Sequence, residues 1–197
     1  TDGKVVAAGD VKNFKGMSKE IVDYRDMNKD EPLWTNSMFG GMPAFQISTI
    51  YYGNLARFVN SFMTLGIPRP ANLIFIGLCG FYFLLLMFGV SPWVSIAGSL
   101  GYMLSTYNAT IVAAGHNTKV ETLGFFPFVV AGVILIIRRK YLWGAAITAL
   151  AMTAEINANH LQISYYLMLT LGVLAVVEFV SAIKSKQLKN FFISAAI

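Results

Sequence analysis

The chain has 197 residues, 56% hydrophobic and 13% charged, with a formal net charge of +5 and a mean hydropathy of +0.60. A soluble domain carries about 45–50% apolar and about 25% charged residues, so this composition excludes an ordinary soluble enzyme, a nucleic-acid reader and, with Cys79 as the one cysteine, a disulfide scaffold. The pI near 9.3 reflects lysines and arginines at membrane interfaces rather than an affinity for nucleic acid.

Charge is unevenly spread. Thirteen of the 25 charged residues fall within the first 31 positions, and none falls between Arg69 and Lys119. The expected organisation is therefore a polar segment over 1–70, carrying amphipathic helices, followed by a membrane region over 71–197. The chain starts at Thr1 without a signal segment and stops at Ile197 inside an apolar run. It reads as part of a longer membrane protein with a further span before Thr1.

In chain order, Phe14, Met17, Ile21 and Tyr24 recur at i, i+3, i+7 and i+10, the spacing of one helix face. Lys12, Lys15 and Lys19 fall on the opposite face, and Asp10 stands where an N-cap belongs. The lysines are either a solvated face or a strip for lipid phosphates or a polyanionic acceptor. Next, Glu31 to Pro43 is rich in Gly and Pro and predicts a rigid irregular loop, with Trp34 and Phe39 placed to dip into the interface. A second stripe, Tyr51, Leu55, Phe58 and Phe62, predicts another interfacial helix, with Asn54 and Arg57 turned away.

From Ala71 onward, apolar runs predict spans at about 71–90, 93–112, 121–137, 141–157 and 161–180, and the start of another at 191. About 20 apolar residues cross a bilayer. Short basic loops face the cytoplasm, so Arg138–Lys140 and Lys184–Lys189 lie inside. Residues 1–70 and the turns at His116 and His160 then lie outside. The expected fold is an all-α, polytopic integral membrane helical bundle.

Ionisable groups are expensive within a bilayer and point to function. Glu121, Glu155, His116 and His160 all map to outer span ends, joined by Asn117, Asn157 and Asn159. A carboxylate and an imidazole such as Glu155 and His160 can orient a sugar, hold a metal or shuttle a proton; equally, they can be a hydrogen-bonded pair that closes the hairpin. Two histidines 44 residues apart are not a zinc motif, and no phosphate-binding glycine loop follows a strand.

Three motifs carry a resemblance. Gly9-Asp10, about two dozen residues before Pro32-Leu33-Trp34 and then Phe39-Gly40-Gly41-Met42-Pro43, is similar to the first outer loop of the YfhO-type bacterial membrane proteins. Ala114-Gly115-His116-Asn117-Thr118-Lys119-Val120-Glu121 and Asn159-His160-Leu161-Gln162, with Tyr165-Tyr166 after, resemble two later motifs of that family. The resemblance implies a fold like the type C glycosyltransferases of the bacterial cytoplasmic membrane. It also implies transfer of a sugar from a polyprenyl-phosphate carrier to a cell-envelope acceptor on the outer face.

Asp10 matches the acidic position of that superfamily's first outer loop, which implies a catalytic or metal-linked role, with His116, Glu155 and His160 as further catalytic candidates. Lys12, Lys15, Lys19, Trp34, Asn117, Lys119, Glu121, Asn159 and Gln162 are the substrate-binding candidates. Lys119 or a bound divalent cation would meet the leaving phosphate; the metal ligands stay open. Asn159 and Leu161 depart from the family's pattern, which has Gly before the histidine and frequently Pro after it. The competing readings are a lipid or polymer transporter and a non-catalytic envelope-assembly protein of the same fold.

Overall fold

The computed structural model describes residues 9–48, 50, 51 and 53–197. The described chain is helical apart from one two-residue strand pair. It divides into two compact units: the described residues up to Asn54 together with Val112–His116, and Leu55–Ile111 together with Asn117–Ile197.

In the first unit, α1 (Gly9–Asn28) buries Ser18 and Ile21. Asp10 is a first-turn helical residue, inside α1 rather than flanking it as an N-cap. Of the predicted apolar face only Ile21 is fully buried; Phe14 and Tyr24 remain exposed. Polar contacts hold the following loop to α1 instead. Arg25 donates to Glu31 Oε2 through Nε at 2.9 Å and to the Ser48 carbonyl through Nη2 at 2.7 Å. Glu20 Oε2 accepts from Thr35 Oγ1 at 2.5 Å and from the Asn36 N–H at 2.8 Å. The loop itself is pinned by β1 (Trp34–Thr35) and β2 (Met42–Pro43), antiparallel with Trp34 opposite Pro43.

The second unit begins with α2 (Ala56–Met63), whose Phe58 and Phe62 are exposed. Tyr51 precedes this helix, so the predicted stripe is helical only in its later part. Then come α3 (Ala71–Met87), α4 (Pro92–Met103), α5 (Thr106–Ala114), α6 (Asn117–Ile137), α7 (Tyr141–Asn157), α8 (Leu161–Lys184) and α9 (Leu188–Ala195). The run 93–112, read from sequence as one span, is broken at Leu104–Ser105. Polar side chains explain the break, because they offer the backbone partners outside the helix ladder. Ser105 Oγ accepts from the Asn108 N–H at 3.4 Å, and the Asn108 amide nitrogen donates to the Tyr102 carbonyl at 2.8 Å.

Among the described residues α6 and α8 are long and apolar enough to cross a membrane; α3 is a shorter apolar helix. The two long helices differ in packing. The apolar window of α6 is 67% buried, whereas that of α8 is only 11% buried. A soluble protein rarely leaves so continuous an apolar helix uncovered, and Val173, Val176 and Val177 all stand more than half exposed.

Close helix crossings at glycines build the core. A Cβ on Gly80 would meet the Gly124 carbonyl oxygen at 2.6 Å. One on Gly144 would meet the Gly132 carbonyl oxygen at 2.8 Å and the Ile136 nitrogen at 2.7 Å. Small residues at such crossings let backbones approach, which is how apolar helices gain dispersion contact without a difference in hydrophobicity to drive them. Phe125, Ile76 and Ala154 then form one buried cluster, and Val129, Ala151 and Leu167 another.

Pro127 lies inside α6 and has no N–H to give the Leu123 carbonyl four residues back. The Tyr102 hydroxyl donates to that carbonyl at 3.1 Å, with its ring stacked on Phe81 at 4.4 Å. A side chain from α4 thus replaces a bond the α6 backbone cannot make.

Candidate functional site

Asp10 and His116 are 106 positions apart in sequence, yet His116 Nδ1 stands 2.6 Å from Asp10 Oδ2, both side chains about half exposed. Asp10 projects from the first turn of α1. His116 follows Gly115, which turns the chain at φ +90° after α5. Glycine is suited to that left-handed turn because it has no Cβ to clash. A carboxylate can only accept, so Nδ1 is the donor in this contact.

Asp10 also lines an open groove of about 730 Å³ on α1, together with Lys12, Asn13, Gly16, Met17 and Met38. One carboxylate and one ammonium group therefore face the same space. The other two lysines do not join them there. Lys19 pairs with Asp23 at 2.6 Å on the solvent side of α1, and Lys15 is exposed outside the groove. Of the three lysines, Lys12 is the one that lines the groove. Trp34 is partly exposed but fixed, since its ring lies against Gly41, where a Cβ would stand 2.5–2.8 Å from three ring atoms.

Among the described residues of the first unit, Glu20 is the titratable group whose environment moves it clearly. The Thr35 hydroxyl, with the Asn36 and Ser37 backbone, holds its carboxyl below the ordinary value of 4.5 against the opposing effect of desolvation. Its contacts tie the loop to α1 and adjoin the groove at Ser37, which lines it.

In the second unit Glu121 is 2% exposed and has its own partners: Arg69 forms an ion pair with it and the Asn60 side-chain amide donates to it. Its carboxylate is enclosed and held by α2 and by the residue before Pro70. Burying a charge requires such pairing. Arg69 was the missed partner. Its signal was its position as the last charge before the uncharged stretch, where a cation with no nearby sequence partner needs a distant one.

Lys119 sits over the Tyr107 ring, 5.2 Å from its centroid, and Asn117 is the first residue of α6, half-buried. Gln162 donates to the Tyr166 hydroxyl at 2.9 Å on the exposed side of α8. Asn159 has φ +56°. That is the left-handed region, which Gly adopts freely and Asn tolerates best among the others, so the departure from Gly before the histidine preserves the turn.

Glu155 is fully buried near the end of α7. Neither of its carboxylate oxygens has a hydrogen-bond partner, and neither does Nδ1 of the half-buried His160. The nearby Ser164 hydroxyl is directed at the His160 carbonyl, 3.4 Å away. Buried polar groups are nearly always satisfied, so Glu155 and His160 Nδ1 stand out as exceptions, and no hydrogen bond or ion pair joins them to each other among the described residues. No three His, Cys, Asp or Glu side chains converge on a metal-sized space among the described residues, and Asp10 with His116 alone falls short of a metal's usual ligand set.

Comparison of the chain with protein-family models, with curated proteins and with solved structures finds no match.

Proposed function

We propose that the chain is a polytopic membrane glycosyltransferase. It would transfer a sugar from a polyprenyl-phosphate carrier to a hydroxyl of a cell-envelope acceptor on the outer face. The observation that carries this reading is the Asp10–His116 contact beside a groove that also holds Lys12. The motif resemblance supplies the substrate class, and the exposed apolar face of α8 supports placement in a membrane.

In this reading Asp10 accepts a hydrogen bond from Nδ1–H and fixes the ring, so His116 Nε2 takes the proton of the acceptor hydroxyl. The acceptor oxygen forms its bond to the anomeric carbon while the bond from that carbon to the phosphate oxygen breaks. The polyprenyl phosphate leaves with the electron pair, and Lys12 meets its charge.

The test is Asp10→Asn in the full-length protein in membranes, assayed by sugar transfer from a polyprenyl-phosphate donor. Asn keeps an acceptor for Nδ1 but removes the charge that stabilises the imidazolium. Transfer should fall about 10²-fold or more, the lower range of general-base catalysis, with expression and unfolding temperature unchanged. Near-wild-type transfer would remove the dyad from the reaction and move attention to Glu155 and His160.

A further inference from the structure

Near the C-terminal ends of α6 and α8, two clefts adjoin. One, of about 120 Å³, is polar and lined by Arg139, Glu178, Ser181, Ser185, Gln187 and Asn190. The other, of about 240 Å³, is mainly apolar and is lined by Val133, Ile136, Thr148, Leu171, Leu174 and Ala175. Ile137, Glu178, Phe191 and Ser194 line both. Each volume falls below the roughly 300–1,000 Å³ of an ordinary ligand pocket, so each suits one part of an amphiphile.

The charges here are arranged unusually. Gln187 Oε1 accepts from Arg139 Nη2 at 2.8 Å and from the Asn190 amide at 3.3 Å, which orients the guanidinium and leaves its other donors for a ligand. Glu178 is half-buried and faces the same cleft, yet it has no ion-pair partner among the described residues, Arg139 included. A cation and an anion that share a cleft without touching leave room for a ligand carrying both opposite charges. A purely anionic headgroup would meet Glu178 unfavourably, and a purely cationic one would meet Arg139.

We infer that this double cleft binds a zwitterionic aminophospholipid from the membrane. Its phosphate lies against Arg139, its primary ammonium against Glu178, and the start of one acyl chain enters the apolar slot. The phosphate suits the guanidinium fork, and the ammonium can donate hydrogen bonds to the carboxylate and serine hydroxyls. The basic loop Arg138–Lys140 and the basic residues Lys184, Lys186 and Lys189 lie at the ends of the same helices, where headgroups sit beside a positive-inside protein. The inference depends on the membrane placement of α6 and α8 and not on the transfer reaction.

The experiment uses the full-length protein in phosphatidylcholine nanodiscs, with bound lipid counted by native mass spectrometry. Titrants are phosphatidylethanolamine, phosphatidylglycerol and chain-free glycerophosphoethanolamine. Phosphatidylethanolamine should bind about tenfold more tightly than phosphatidylglycerol, on the scale of one charged hydrogen bond, and the chain-free headgroup far more weakly than either. Glu178→Gln should abolish or reverse the preference, while Arg139→Gln weakens both lipids. Ala175→Phe, which fills the apolar slot and leaves the charges alone, should weaken both as well. A preference for phosphatidylglycerol would overturn the inference, as would equal losses on Arg139→Gln and Lys140→Gln, the mark of diffuse basic attraction. Indifference to Glu178→Gln in a folded protein, or failure of any lipid to bind because another segment of the full chain fills the cleft, would do the same.

Discussion

Tyr102→Phe removes a single oxygen and tests the account of Pro127. The substitution keeps the ring and its stacking on Phe81, so packing is almost unchanged. It leaves the Leu123 carbonyl without the hydroxyl that now substitutes for the missing N–H of Pro127. A buried acceptor left unsatisfied costs about 1–3 kcal/mol. In the Pro127→Ala background the α6 ladder can supply its own donor to Leu123, and the same Tyr102→Phe change should cost no more than about 0.5 kcal/mol, the scatter expected of independent sites. The cycle therefore predicts a coupling of about 1–2 kcal/mol between residues on different helices. The assay is reversible unfolding of all four proteins in mixed detergent micelles, followed by far-UV circular dichroism. Equal losses in both backgrounds, or no loss in either, would refute the claim that Tyr102 completes the helix.

Gly144→Ala should lower stability in the same assay by about 1–3 kcal/mol, the scale of overpacking, since its Cβ would meet backbone atoms of α6 that cannot rotate away. Gly172→Ala in α8, with nothing within 4 Å of its Cβ, should instead be neutral or gain up to about 1 kcal/mol of helix propensity. The Glu20 carboxylate holds its loop most firmly when ionised. Because its folded value is lowered from 4.5, its contribution is fully present above that pH and is lost as pH falls through the lowered value. Hydrogen exchange at the Asn36 amide, which donates to Glu20, should therefore lose its protection over that interval in the native protein. Glu20→Gln should show no such step.

Periodicity and charge carried much of the helical layout. The basic turn Arg138–Lys140 and the polar cluster after Asn157 bracket α7 at the bounds read from sequence, Tyr141 and Asn157. The ends of α3 and α8 differ from the apolar runs because left-handed caps set them: α3 closes at Met87, where Gly89 at φ +84° lets the Val90 N–H reach the Leu85 carbonyl, and α8 runs on to Lys184, where Lys186 at φ +56° lets the Gln187 N–H reach the Ala182 carbonyl. The break between α4 and α5 was written in Ser105-Thr106-Tyr107-Asn108, four residues with polar groups in an apolar run, but a hydropathy average conceals them. The pairing of Asp10 with His116 was not legible as a contact, since nothing local links positions so far apart in sequence. Glu121 shows the same limit from the other side. A carboxylate at a span end looks accessible until the fold brings Arg69 and Asn60 over it.

The amide nitrogen of Asn108 has one more consequence. Asn108-Ala109-Thr110 spells the acceptor sequence for N-linked glycans, and a glycan attaches through that same nitrogen. Here the side chain is 5% exposed, and its nitrogen is held on the Tyr102 carbonyl at the α4–α5 break. To be modified, it would have to leave that carbonyl and carry a sugar out through the surrounding helices. The fold thus renders the tripeptide inert: the hydrogen bond that shapes the break also withholds the atom that glycosylation requires.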